Sequence, residues 1–130
     1  NTLGMVGDYT FDEAACGVTE LASGADRVLE LTPTITGTMR LRAGWDGSTP
    51  ACASAGPPPS CWDRVIHVRS PSCTTLADQI ACAGPNPPDG TQDFSFAVTA
   101  GTPYYVIVDS THDSQPGSAG PYFLQIDLTP

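Results

Sequence analysis

The stretch DFSFAVTAGTPYYVIVDS, residues 93–110, decides the fold class. Its first half alternates, with Phe94, Phe96 and Val98 on one side and Ser95 and Ala97 on the other. A period of two is the pleat of a β-strand that buries one face and wets the other. The second half, TPYYVIVDS (102–110), is apolar on both sides, as expected of a central strand with both faces covered.

Working outward, the same signals recur. DRVLELTPT (26–34) reads as a strand, and TGTMRLRAGW (36–45) as its neighbour across a tight TITG turn. In the latter Met39, Leu41 and Ala43 alternate with Arg40 and Arg42, which predicts one buried and one wet face. WDRVIHVRS (62–70) places Ile66 and Val68 on one face and Val65, His67 and Arg69 on the other. A short strand is expected around Gln79 to Ala81, and PYFLQIDLTP (121–130) closes the chain. The first 24 residues read as loop, and residues 46–61 and 83–92 are too rich in Pro and Gly for regular structure. Turn signals roughly every ten to fifteen residues predict an all-β, antiparallel β-sandwich. One domain spanning residues 1–130 is expected, with no internal repeat.

Composition points the same way. Thirteen Gly and thirteen Pro interrupt long helices. Fourteen acids against five bases give a net charge of −9. Such a surface repels phosphate backbones and anionic membranes, which argues against nucleic-acid partners. No run of eighteen apolar residues is present, so membrane insertion by a helix is not expected. All five bases are arginines, which with the Ala, Gly and Pro content suggests a GC-rich bacterial coding sequence. The abrupt start at Asn1 reads as a mature or excised segment. Five cysteines without a CxxC fit an oxidising compartment, hence a secreted or cell-surface location.

Cys52 and Cys61 are separated by eight residues, as are Cys73 and Cys82. Structural zinc sites use pairs two to four residues apart, so disulfides Cys52–Cys61 and Cys73–Cys82 are the expectation. Each would close a loop of about ten residues and contribute about 2.5–3 kcal/mol by chain entropy. Cys16 is left over, either as a free buried thiol or as a link to another chain or to sequence beyond this one.

The catalytic motifs are missing. There is no G-x-S-x-G elbow, HExxH, P-loop or dinucleotide glycine pattern, so an enzyme is not expected. His67 reads as a polar residue on the solvent face of its strand, and His112 as an exposed loop residue. Calcium is the cofactor to consider. Asp8, Asp12 and Glu13 share one loop, and Asp109 and Asp113 lie near one strand end. Ca²⁺ takes six to eight loop oxygens, but solvated turn acids give the same pattern. Trp45 and Trp62 border the Pro-rich loop, and either form a surface platform for a ligand or pack beneath it.

The order of motifs resembles the bacterial pre-peptidase C-terminal (PPC) domain, in its Cys-bearing myxobacterial type. NTLGMVGDY with the following ACG is similar to the family's opening, and SGADRVLELTPTITGTMRLR to its first strand, Gly-Thr turn and second strand. WDRVIHVRSPSC followed by LADQIAC resembles its strand with Cys-loop-Cys. VTAGTPYYVIVDS resembles its hallmark hairpin, and GPYFLQIDL its closing strand. The resemblance implies a jelly-roll-like sandwich, usually non-catalytic and attached to exported proteins; some relatives bind calcium and a matrix polymer. The chain departs from the family at AGPNPPDG, where Asn-Asp-Asp is usual, and in the ACASAGPPPSC insertion, where specificity is expected to reside. The family's strand before the NT start is also absent, which is expected to leave a sheet edge open.

The function expected is a secreted, non-catalytic module for adhesion or binding to an extracellular polymer or protein. The alternative is a structural subunit that assembles with copies of itself by edge-strand exchange or an intermolecular disulfide.

Overall fold

Among the described residues seven strands form: β1 (Arg27–Leu31), β2 (Gly37–Gly44), β3 (Arg64–Arg69), β4 (Gln79–Ala83), β5 (Gln92–Val98), β6 (Tyr104–Ser110) and β7 (Phe123–Thr129). The computed structural model describes residues 9–17, 26–44, 64–84, 91–110 and 122–130. Sheet A has the order β1-β6-β3-β4 and sheet B the order β5-β2-β7, and every pairing is antiparallel. The fold is an all-β sandwich.

Two local expectations are corrected. β1 and β2 are not sheet neighbours, and β5 and β6 do not form a hairpin; each pair crosses from one sheet to the other. A tight hairpin turn takes positive φ at its central residues. The 32–36 link has none, since among the described residues only Gly17 and Gly101 adopt positive φ. The chain therefore arches over the core, and the two arches lie side by side. Gly101 donates its N–H to the Pro33 carbonyl at 2.9 Å, and the Ala100 N–H reaches Thr36 Oγ1 at 3.0 Å. β1 thereby pairs with β6 while β2 pairs with β5. The Tyr104 ring is buried in the core, and its hydroxyl accepts the Thr99 N–H at 2.9 Å, so the link's polar group is satisfied.

The core between the sheets comes from the inward set of each strand. It includes Met39, Leu41 and Ala43 of β2, Ile66 and Val68 of β3, and Val106 and Val108 of β6. On the outer face of sheet B, Arg40 makes a bidentate pair with Asp93 at 2.7 and 2.5 Å. That fork holds the Asp93 carboxyl below the ordinary carboxylate range. Gly37 lies where β7 ends, and a Cβ there would overlap the carbonyl oxygen of Thr129. Gly37→Ala is expected to cost about 1–3 kcal/mol, read as a lower urea midpoint, because the β2–β7 pairing has to shift to admit the methyl.

Candidate functional site

β3 carries the polar side chains that drew attention in the sequence, and all six of its residues are buried. Ile66 and Val68 face the sandwich core. Val65, His67 and Arg69 point the other way, onto a face of sheet A that the N-terminal segment covers.

That cover is built locally. Asp12 caps a one-turn helix, α1 (Glu13–Cys16), by accepting the Ala15 N–H at 3.1 Å, and Gly17 ends it at φ 69°. Across the sheet Cys82 stands opposite His67 and so points to the same outer face. Cys16 reaches it there, forming a disulfide with Cα atoms 4.9 Å apart. The Gly84 N–H to Cys16 carbonyl bond (3.0 Å) and the Asp12 N–H to Gln79 Oε1 bond (3.0 Å) hold the segment along β4. Arg69 ties it from beneath. Its guanidinium donates to the carbonyls of Cys73 (2.7 Å) and Thr10, and lies 5.4 Å from the centroid of the Tyr9 ring.

The cysteine expectation is therefore corrected. Cys82 pairs with Cys16 rather than Cys73, and Cys73 is a free thiol that accepts a long hydrogen bond from the Tyr9 hydroxyl, 3.9 Å. Nearness in sequence favoured Cys73, but the face on which Cys82 emerges decides the partner. Cys16 is then neither free nor open to another chain. Cys52 and Cys61 lie outside the described residues.

The reading of His67 is corrected as well. It is fully buried, with the Phe11 ring 5.7 Å away, and neither ring nitrogen has a hydrogen-bond partner among the described residues. Asp109 of β6, also buried, puts Oδ2 3.8 Å from Nε2. That carboxylate favours a protonated ring, but it stands beyond hydrogen-bond reach. Burial, followed by the positive charge of Arg69, outweighs it and lowers the His67 pKa to about 3. The imidazole is neutral near pH 7 and sealed from solvent, so it has no route to a substrate.

Of the acids proposed for calcium, Asp12, Glu13 and Asp109 are described, and these three are not gathered into one site. Asp12 is a helix cap, Glu13 follows it in α1, and Asp109 is enclosed beside His67. Among the described residues no group of three or more potential ligands forms. Asp8, Asp113, His112, Trp45 and Trp62 lie outside the described residues.

Two surface grooves escaped the sequence reading. One opens between the sheets at the β1 and β7 edges, has a volume of about 290 Å³, and is lined by Arg27, Leu29, Val108, Tyr122, Leu124 and Ile126. The other, about 400 Å³, runs along β4 between α1 and a 3₁₀ turn at Leu76–Asp78. Edge exposure depends on strand order, which alternation along one strand does not carry. Comparison with family models, curated proteins and solved structures returns no match to this chain.

Proposed function

We propose that the chain is a secreted, non-catalytic sandwich module that binds an extracellular polymer or protein. One contrast carries this reading. The side chains with reactive potential on sheet A, His67, Asp109 and Arg69, are buried beneath the disulfide-clipped segment, whereas large apolar side chains are exposed along sheet edges. Exposed apolar surface beside an unpaired strand edge suits recognition of another chain. The disulfide and the order of motifs that resembles the PPC domain fit an exported location.

The test is co-sedimentation of the purified module with insoluble polysaccharides and protein fibres, run once with calcium and once with EDTA. Saturable retention on at least one polymer is expected, and loss with EDTA would assign calcium a part in it. No retention on any of them, together with turnover of ester, peptide or glycoside substrates, would overturn the reading.

The self-assembling alternative draws on the β1–β7 groove. Leu29 is 39% exposed there although it belongs to the inward set of β1. If that edge takes a strand from a second copy, the module elutes as a concentration-dependent oligomer that Leu29→Asp returns to monomer. A strict monomer at all concentrations removes this alternative.

A further inference from the structure

β4 is the outer strand of sheet A, hydrogen-bonded among the described strands to β3 alone. Its register against β3 shifts. Val68 pairs with Ala81 and Arg69 with Gln79, which leaves Ile80 without an opposite residue. A bulge of this kind re-aims a side chain, and Ile80 is 47% exposed as a result. Leu76, in the 3₁₀ turn, is 43% exposed on the wall of the same groove. These are the two most exposed large apolar side chains among the described residues. Asp12, the cap of α1, and Ala15 within it also line the groove, together with Gln79 to Cys82 of β4.

The exposed charge around this groove has one sign. Asp12 lines it, Glu13 follows in α1, Asp78 ends the 3₁₀ turn, and no Lys or Arg is part of the lining. Arg69 stands opposite Gln79, but its guanidinium is held by the Cys73 and Thr10 carbonyls rather than open to a ligand. Arg64 and Arg69 are buried, Arg40 and Arg42 pair with Asp93, and Arg27 sits on β1 at the opposite edge of the sheet. With a net charge of −9, this edge attracts cations.

We propose that the β4 edge is a docking groove for an extended basic segment of a partner protein, which adds to sheet A as a further strand. Its main chain pairs with β4, an aliphatic side chain covers Leu76 and Ile80, and its Lys or Arg residues meet Asp12, Glu13 and Asp78. The proposal rests on the binding reading above and names the chemical class of the partner.

Labelled ten-residue peptides of alternating Val and Lys, and of alternating Val and Glu, test it by fluorescence anisotropy. Saturable micromolar binding of the Val-Lys peptide is expected, weakening at high salt, with none for the Val-Glu peptide. Ile80→Asp should weaken binding at least tenfold, as should the gentler pair Leu76→Ser and Ile80→Thr, while Ile35→Asp, on the link between β1 and β2 and outside the groove, leaves it unchanged. Equal binding to the Ile80 variants would mean charge attraction without a groove, and would overturn the proposal. So would concentration-dependent dimerisation abolished by Ile80→Asp, which assigns the edge to a second copy. If the Val-Lys peptide does not bind while the module still co-sediments with a polymer, this groove assignment fails and the binding reading stands. Failure of both removes both.

Discussion

Acidification from pH 7 to pH 4 is expected to remove about 3 kcal/mol of folding stability through His67 alone. The sign follows from the two states. Burial lowers the folded pKa to about 3, while an unfolded histidine titrates near 6.5. Between those values the unfolded chain binds a proton that the folded chain excludes, so stability falls as the pH drops. The effect is absent above about pH 7, grows by up to about 1.4 kcal/mol per unit below 6.5, and levels off below 3. Set against a total of about 5–15 kcal/mol for an ordinary domain, this is a large share. The groups around the ring are Arg69 on β3, Asp109 on β6, the disulfide sulfur of Cys82 on β4, and an N-terminal segment that brings Phe11 against it. Urea midpoints from pH 7 to pH 4 measure the slope. His67→Leu should flatten it while the carboxylate contribution, shared by both proteins, persists. An equal slope in the two proteins would show that His67 takes up its proton without disturbing the fold.

Breaking the Cys16–Cys82 bridge is expected to have an effect of similar size. The two residues are 66 apart in sequence, and closing a loop of that length lowers the unfolded chain's entropy by the equivalent of about 4 kcal/mol. Cys16→Ser and Cys82→Ser should each lower the thermal midpoint by roughly 10–20 °C, and a reductant should do the same to the parent chain. Cys73→Ser should leave the midpoint nearly in place, because that thiol is joined to no other cysteine among the described residues. If Cys73→Ser proved as damaging as Cys82→Ser, the bridge would run between neighbours in sequence. Peptide mapping of the unreduced protein gives an independent answer. The loss should also loosen the cover over His67, so the pH slope of Cys16→Ser should be shallower than that of the parent.

Strand position was legible because a pleat repeats every two residues. Phe94, Phe96 and Val98 announced β5, and the doubly apolar run from Tyr104 to Val108 announced an interior strand, which β6 is. Pairing was less legible. The TITG link looked like a hairpin, yet without positive φ it carries the chain across the core. β3 itself carries a clue to its second cover. Val65 shares the supposed wet face with His67 and Arg69, and an apolar residue there signals a second cover. The groove on β4 had no clue of this kind, since Ile80 is exposed by a register shift against another strand.

By itself, then, the sequence determined the all-β class, the strand positions and the acidic surface. These are properties of residue type and short-range period, which each segment carries alone. Which sheet each strand joins, which cysteine meets Cys82, and whether His67 is wet or sealed were decided only by the tertiary structure. Those outcomes depend on which faces meet across dozens of residues, and packing settles such a choice where local pattern has no say.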